Sequence, residues 1–257
     1  MTNEVKKYGV AHTDKILVDF MVRSSIDLLE KSGVALQEIK ALDPFTGDGV
    51  FLESLLSHDV GHISAYEIRR EQYEKTRDVY GGHVDIQCVD TFKTHPCGFN
   101  LIIGNPPYGK CTEDAEIDRR IRETYSGSAT CRQALYDGYV RSIRWASDVL
   151  ERGVIAYIIN NSFLGANSFD GFRKRVELEF QAIYIINLRG NHRTSGEVCK
   201  KEGGNVFAHE CRTGTAILFL EKHNGLFVGI CTQKSMEILH SMKNEMPNNF
   251  EEQGARV

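Results

Sequence analysis

Several features that mark common protein classes are missing from this sequence. None of its apolar runs approaches the roughly 18–20 residues of a membrane-spanning helix, and a run such as Ile155 to Ile159 has only the length of a strand. The N-terminal residues lack the apolar core of a signal peptide. There is no heptad pattern, low-complexity tract or internal repeat, which excludes coiled-coil, disordered and repeat proteins. We therefore expect a globular protein that does not contact membranes.

An excess of positive charge is also lacking. The 31 Lys and Arg residues face 35 Asp and Glu, which gives a formal net charge of −4. A molecule with this balance does not attract nucleic acid as a whole. Any nucleic-acid contact must come from a local basic patch or from another module.

Paired cysteines are the third absence. The seven cysteines are scattered and include no Cys-x-x-Cys pair, which indicates a reduced, cytoplasmic protein rather than a disulfide framework. His192, Cys199, His209 and Cys211 offer the donor types of a zinc site. Only His209 and Cys211 are close in sequence, whereas structural zinc ligands usually come in close pairs. Loop histidines and small buried thiols are therefore favoured, and we expect no metal.

Alternating helices and strands are the main pattern that is present, and they predict a mostly parallel, doubly wound α/β sheet with helices on both faces. The predicted helices are 14–29, 50–56, 70–79, 135–150 and 169–180. The predicted strands are 40–43, 62–67, 84–88, 99–104, 154–160, 182–188 and 214–221. Residues 109–132 and 189–205 are predicted to be polar loops. No strong linker occurs, so we expect one domain over residues 1–230, followed by a short helix and a polar tail over 231–257.

Three carboxylates, Asp43, Glu67 and Asp90, close three successive predicted strands. Ligands of open parallel sheets bind beyond the carboxyl ends of the strands. Gly47-x-Gly49 follows the first strand and allows a tight turn that approaches a ligand closely, and an acidic residue after the second strand can accept both ribose hydroxyls. Each carboxylate alone could equally be a helix cap or lie in a solvated turn. Together they predict a site for an adenosine-containing cofactor.

The sequence does not fit the two commonest nucleotide-binding motifs. Leu52 stands where a dinucleotide fingerprint has its third glycine, and no Gly-Lys-Ser/Thr occurs. The fourth predicted strand instead ends at Asn105-Pro106-Pro107-Tyr108. Two prolines cannot donate to a sheet, so the chain must leave it there. A simple strand-ending turn is the alternative interpretation.

These motifs resemble those of the gamma class of S-adenosylmethionine-dependent N6-adenine DNA methyltransferases. Residues 43–52 resemble the first motif of the family and residues 105–109 its catalytic motif. Residues 9–14 resemble the motif that precedes the first strand, with Asp14 where proline is usual. Four further segments resemble the methyltransferase segment of type IIG and type ISP restriction–modification polypeptides: 135–146, 160–164, 188–191 and 204–207. The resemblance covers about residues 8 to 221, with the motif order intact.

The resemblance implies a Rossmann-like class I methyltransferase fold and S-adenosylmethionine as cofactor, with S-adenosylhomocysteine as product. Its implied cofactor-binding residues are Thr13, Asp43, Pro44, Gly47, Gly49, Glu67, Ile68, Asp90, Thr91, Phe92 and Tyr139. For Tyr139, a place in the helix core is an equal alternative.

The resemblance also implies that Asn105, Pro106, Pro107 and Tyr108 are the catalytic residues. The side-chain oxygen of Asn105 and the backbone oxygen of Pro106 would accept the two N–H groups of adenine N6 and localise its lone pair for attack on the methyl group. Catalysis of this kind is positioning and electrostatics. The adenine must leave the duplex, and Tyr108 and Phe207 would stack against it. Phe207 could instead be a core residue.

Contact with double-stranded DNA is predicted for basic residues in the two polar loops. These residues are Arg119, Arg120, Arg189, Arg193 and Lys200, with Arg122, Arg132, His192 and Lys201 beside them. They could form a phosphate-binding rim or simply be solvated. Family members carry a target-recognition domain after the catalytic domain, and we expect none within these residues, so specificity would come from a separate domain or subunit.

Two other functions stay open at this point. The same catalytic motif serves methyltransferases that act on RNA bases or on a protein glutamine amide. The chain could also be a non-catalytic cofactor-binding fragment that needs a partner. The segment from 188 to 207 and the motif at 9–14 favour DNA.

Overall fold

The computed structural model describes residues 13–109, 114–126, 133–189, 214–223 and 251–252. Its strands form one sheet. They are β1 (Lys40–Asp43), β2 (His62–Tyr66), β3 (Asp85–Gln87), β4 (Leu101–Gly104), β5 (Gly153–Asn160), β6 (Ala182–Arg189), β7 (Thr215–Lys222) and β8 (Glu251–Glu252).

The strand order is β3-β2-β1-β4-β5-β7-β6-β8. Strands β1 to β5 pair in parallel, whereas β7 runs antiparallel to both β5 and β6. All four residues of β4 are buried, as are the first seven of β5, because helices cover both faces of a parallel sheet. The prediction of a mostly parallel sheet is confirmed.

The helices bury their apolar sides in two separate clusters, one on each face of the sheet. The first face carries α1 (Lys15–Lys31), α2 (Val50–Ser57) and α3 (Arg70–Tyr80). The second carries α4 (Ala115–Tyr125), α5 (Gly138–Val149) and α6 (Asp170–Glu179). This arrangement confirms the doubly wound prediction.

Most predicted elements begin and end within a few residues of the observed ones. For α1, the Asp14 side chain accepts a hydrogen bond from the Ile16 N–H at 2.8 Å, which satisfies one of the free donors of the first turn. The chain leaves this helix at Gly33, whose φ is +88°. Both signals were readable in the sequence.

Helix α4 contradicts the predicted loop over residues 109–132. Ile117, Ile121 and Tyr125 recur every fourth residue and are buried, which forms one apolar side of a helix. Asp114 caps the helix by accepting from the Glu116 and Ile117 N–H groups. The loop prediction was wrong over 115–125 because the charged residues of the exposed side dominate the composition.

The end of the chain was predicted to be a helix and a polar tail. The helix, from residue 230 onward, lies outside the described residues. Glu251–Glu252 form the short strand β8, whose backbone pairs with Ile186 and Asn187 of β6. Among the helices that the structure describes, none has the length and apolarity needed to cross a membrane.

Candidate functional site

The strand order changes direction between β1 and β4. From β1 the chain proceeds to β2 and β3 on one side, and from β4 to β5 on the other. The carboxyl ends of β1 and β4 therefore border the crevice in which open α/β sheets bind ligands. The motif at 43–49 follows β1 and the motif at 105–108 follows β4, so the fold brings the two motifs together.

Asp43, the last residue of β1, is fully buried. Its Oδ1 accepts the Phe45 N–H at 3.1 Å, and its Oδ2 has no hydrogen-bond partner among the described residues. Burial raises the pKa of the carboxyl to about 7, and the Phe45 N–H opposes this shift. Gly104 makes room for the carboxyl, because a Cβ there would lie 2.8 Å from Oδ1.

The turn from Gly47 to Gly49 is held in place by Glu67. Both glycines have positive φ, +50° and +81°. The Gly47 N–H donates to Glu67 Oε2 at 3.1 Å, while Oε1 accepts the Arg69 N–H at 2.8 Å. Pro44 and Gly47 thus lie in the loop between β1 and α2, beside the end of β2. Their contact with a cofactor stays a prediction, as does that of Glu67.

Asp90 caps a short 3₁₀ turn at Thr91–Lys93, where its Oδ1 accepts the Phe92 N–H at 3.1 Å. The Thr91 hydroxyl donates to the Pro44 carbonyl, and the Phe92 and Phe45 rings lie 5.9 Å apart between centroids. The segment after β3 is therefore fixed against the segment after β1. The cap is the role that the structure gives Asp90, and contact with a cofactor adenine stays a prediction.

Ile68 is 51% exposed, although it is a large apolar residue. It directly follows Glu67, which is only 6% exposed. An exposed isoleucine beside the buried carboxylate is available to cover an apolar part of a ligand. Its place in the cofactor site stays a prediction.

Asn105 is the first residue beyond β4. Its Nδ2 donates to the Thr13 hydroxyl at 3.1 Å. Its Oδ1 is buried and has no partner among the described residues. Thr13, which was predicted to contact the cofactor, therefore holds the amide so that its oxygen is left to accept a hydrogen bond.

The two prolines and Tyr108 extend from the sheet edge. Tyr108 donates its hydroxyl to the Ile158 carbonyl of β5 at 3.0 Å, so the ring is tied at its far end. The ring is partly exposed. The arrangement places an amide oxygen, a proline carbonyl and a ring face within four consecutive residues.

Tyr139 and Tyr157 are both buried in the second core cluster. Tyr139 packs against Phe169 with ring centroids 6.3 Å apart, and burial raises the pKa of its hydroxyl. It lies in the core, as the alternative prediction has it, and its contact with a cofactor stays a prediction. Tyr157 was not predicted as a site residue, because it lies in an isoleucine-rich strand and no sequence motif singles it out.

The Tyr157 hydroxyl has no partner among the described residues. Burial and the nearby Asp43 carboxylate raise the pKa of this hydroxyl well above its usual value. Buried polar atoms without partners are rare in folded proteins. Asp43 Oδ2, Asn105 Oδ1 and the Tyr157 hydroxyl share one edge of the sheet, where they are available to hydrogen-bond a polar ligand.

Two described residues of the predicted DNA rim, Arg119 and Arg120, are engaged in ion pairs. Arg119 pairs with Glu123 at 2.6 Å. Arg120 pairs with Asp148 through two hydrogen bonds of 3.1 and 2.8 Å. Arg189 is the last residue of β6. A role of these three residues in DNA contact stays a prediction.

Several predicted residues lie outside the described part of the chain. They are Phe207, Arg132, Arg193, Lys200, Lys201 and the possible zinc ligands His192, Cys199, His209 and Cys211. In the described part, no cluster of three or more potential metal ligands occurs.

Comparison with known proteins identifies the family of this chain. The model of the Eco57I restriction-modification methylase family matches residues 54–193, which is more than half of the 257 residues. The chain belongs to this family. Membership in the Eco57I methylase family confirms the predicted resemblance to restriction–modification methyltransferases.

Individual relatives agree with the Eco57I methylase assignment. The type II methyltransferase M.BstVI of Geobacillus stearothermophilus is 25% identical, and the match covers 74% of this chain and 39% of that protein. In the DrdV–DNA complex, the similar chain is 32% identical with a TM-score of 0.76, covering 85% of this chain and 27% of that one. The chain therefore spans under half the length of each of these two relatives.

A type ISP restriction-modification enzyme, LlaGI, was solved with a DNA substrate mimic. It is 28% identical with a TM-score of 0.75, over 92% of this chain and 29% of that chain. A Listeria monocytogenes protein described as a class I S-adenosylmethionine-dependent methyltransferase matches with a TM-score of 0.62 at 13% identity, over 95% of this chain and 73% of that chain. The second likeness concerns the fold alone and confirms the predicted class I, Rossmann-like fold.

Proposed function

We propose that this chain is the catalytic domain of a DNA methyltransferase that transfers a methyl group from S-adenosylmethionine to the N6 amine of adenine. The observation that carries the proposal is the Asn105 side chain. Thr13 holds its Nδ2 at 3.1 Å, and its buried Oδ1 is left without a partner among the described residues. A buried acceptor in this state suits an incoming N–H donor.

Two acceptors are needed on the target amine, one for each N–H. Asn105 Oδ1 would take the first and the Pro106 carbonyl the second. Hydrogen bonds to both N–H groups draw the nitrogen towards a tetrahedral form and localise its lone pair. Pro107 restricts the backbone at Pro106 to extended conformations, which fixes the direction of the Pro106 carbonyl.

S-adenosylmethionine would supply the methyl group on its sulfonium. The residues that would hold it are those after β1, β2 and β3: the turn at Gly47–Gly49, Asp43, Glu67 with Ile68, and Asp90 with Phe92. The unpartnered Asp43 Oδ2 and the two positive-φ glycines fit a ligand that carries an amine and approaches the backbone closely. Thr91 fixes Pro44 beside the same turn.

The target base must be out of the duplex to reach Asn105, which costs a few kcal/mol. Tyr108 offers a partly exposed ring whose hydroxyl is fixed to Ile158. Stacking of a base on such a ring offsets about 1–3 kcal/mol of that cost. Phe207 is proposed for the other side of the base.

We place the DNA partner on the side of the sheet where β1 and β4 end. The names of two similar structures, DrdV and LlaGI, record DNA or a DNA substrate mimic, which supports double-stranded DNA as the partner of this chain. Arg119, Arg120, Arg189, Arg193 and Lys200 are proposed for its backbone. Sequence specificity would come from a target-recognition domain or subunit outside the catalytic domain, which we assign to residues 1–230.

The test is incubation of the chain with methyl-labelled S-adenosylmethionine and unmethylated genomic DNA. We expect label in DNA and N6-methyladenine after digestion to nucleosides. Parallel reactions should contain total RNA and a release-factor protein. Label in RNA or protein but not in DNA would overturn the proposal in favour of those substrates, and cofactor binding without any transfer would favour a non-catalytic role.

A further inference from the structure

Asp137 directly precedes α5, yet its carboxylate reaches across the chain to the catalytic motif. Its Oδ1 accepts the Gly109 N–H at 2.9 Å, from a residue 28 positions earlier. Gly109 is the residue after Tyr108. The contact therefore lies at the point where the chain leaves the motif.

The Gly109 carbonyl is held by the same corner of α5. It accepts the Gly138 N–H at 2.8 Å. Both polar backbone groups of Gly109 are thus bonded to two consecutive residues. The φ of Gly109 is +80°, a left-handed conformation that these two bonds select.

The start of the motif is fixed as well. Gly104 is paired with Tyr157 in the sheet, and Asn105 is bonded to Thr13. The motif between β4 and Gly109 is therefore anchored at each end, and the anchor at the Gly109 end includes a carboxylate. Hydrogen bonds to a charged group are stronger than neutral ones.

Helix α5, which Asp137 directly precedes, is itself firmly packed. Arg141, one turn further along α5, forms a buried two-bond ion pair with Asp118 of α4, at 2.8 and 2.9 Å. Lys222 caps the far end of α5 by donating to the Ser147 and Leu150 carbonyls. Asp137 therefore projects from a helix that is held along its length.

We propose that Asp137 is a positioning residue that fixes the catalytic motif through the Gly109 N–H. It contacts neither the base nor the cofactor, and it acts by setting where the Pro106 carbonyl and the Tyr108 ring lie. This role rests on the proposed function of Asn105 and Pro106. Burial also raises the pKa of the Asp137 carboxyl, while the Gly109 N–H opposes that shift.

The experiment compares Asp137→Ala, Asp137→Asn and the control Lys222→Ala in the full chain. Asn keeps an oxygen that can accept the Gly109 N–H, whereas Ala removes the acceptor. Lys222→Ala weakens the other end of the same helix and leaves Gly109 untouched. Each variant is measured for hydrogen exchange at the Gly109 amide, for kcat on unmethylated DNA and for cofactor Kd.

We expect Asp137→Ala to speed Gly109 exchange and to lower kcat by about 10- to 100-fold, the effect of losing one hydrogen bond to a charged group. The cofactor Kd should stay within about twofold, because the turn at Gly47–Gly49 that would hold the cofactor follows β1 and not β4. Asp137→Asn should restore most of the protection of the Gly109 amide and most of kcat, and Lys222→Ala should change neither.

Unchanged Gly109 exchange in Asp137→Ala would overturn the proposal. Equal loss of kcat in Lys222→Ala would also overturn it, because general weakening of α5 would then explain the effect. The exchange measurement does not require turnover. A wild-type chain that methylates no DNA would refute the proposed function, while the exchange result would still decide whether Asp137 holds the motif.

Discussion

Thr13 determines which way the Asn105 amide faces. The Thr13 hydroxyl accepts the Asn105 Nδ2 at 3.1 Å, so the amide oxygen points away from it. Valine at this position would keep the size and remove the acceptor. The buried amide would then lose its partner, and its oxygen would no longer be held in one place.

For Thr13→Val we expect kcat to fall about tenfold or more, with Thr13→Ser retaining most activity. The measurement is steady-state methylation together with calorimetric cofactor binding. A weaker cofactor Kd at unchanged kcat would instead support the role in cofactor contact that the sequence predicts for Thr13.

Asp43 makes the stability of the ligand-free protein depend on pH. Its folded pKa of about 7 exceeds the ordinary 3.8, so the folded state binds the proton more tightly than the unfolded chain does. The stability from the neutral carboxyl is fully present below 3.8 and is lost as pH rises through 7. The loss is on the order of 4 kcal/mol.

Asp43→Asn should remove this part of the pH dependence. We expect urea unfolding of the wild type to shift to lower denaturant from about pH 5 to about pH 8, and the Asn variant to shift less. Asp27→Asn, an exposed carboxyl of α1, is the control and should behave like the wild type. If the stabilities of Asp43→Asn and wild type changed equally with pH, the raised pKa of Asp43 would be contradicted.

Helices α4 and α5 are joined by a buried ion pair. Arg141 is 3% exposed and bonds Asp118 with two hydrogen bonds. Removal of one partner leaves a buried charge without compensation.

Asp118→Leu should therefore lower the free energy of unfolding by about 3–5 kcal/mol. The double variant Asp118→Leu/Arg141→Leu should recover a large part, because no charge is left unpaired. Chemical denaturation of the three proteins measures both effects. A double variant that is less stable than Asp118→Leu would contradict this expectation, because Arg141 would then stabilise the fold even without its partner carboxylate.

Helix α4 also shows where sequence patterns are insufficient. Its three buried apolar residues are separated by charged ones, so composition indicated a loop although Asp114 and the four-residue spacing were both visible. The other elements were predicted because a short apolar run or a helical spacing of apolar residues can be recognised within a few residues of sequence. Side-chain partners such as Asp137 with Gly109, or the burial of Tyr157, depend on elements distant in sequence and could not be predicted from a local pattern.

Across the whole molecule, the order of motifs was enough to predict the sheet and the edge at which the site lies. Asp43, Glu67, Asp90 and Asn105 each follow a separate strand, and in parallel strands those positions must share an edge. The sequence does not predict which atoms each side chain contacts or how deeply it is buried. Asp90 caps a turn and Tyr139 lies in the core, and only the packing reveals this.

Cofactor binding should stabilise the entire domain. At a concentration about 100 times its Kd, S-adenosylhomocysteine would add about 2.7 kcal/mol, which raises the Tm by about 5–10 °C for a domain of this size. Thermal unfolding is measured separately with S-adenosylhomocysteine, NAD and ATP, and the Tm shifts of these three candidate ligands are compared. A shift with NAD or ATP and none with S-adenosylhomocysteine would refute the assigned cofactor.

The antiparallel strand β7 determines where the connection between β6 and β7 starts and ends. Because β6 runs parallel to β5 and β7 runs back between them, β6 ends and β7 begins at the same edge as Asn105. The start of β7 is tied there by the Asn161 N–H, which donates to the Gly214 carbonyl at 3.0 Å. The two attachment points of residues 190–213 are thus set by the sheet and not by the length of chain between them. Since lengthening a connection costs little free energy, residues can be inserted between these two points without displacing β5, β6 or β7.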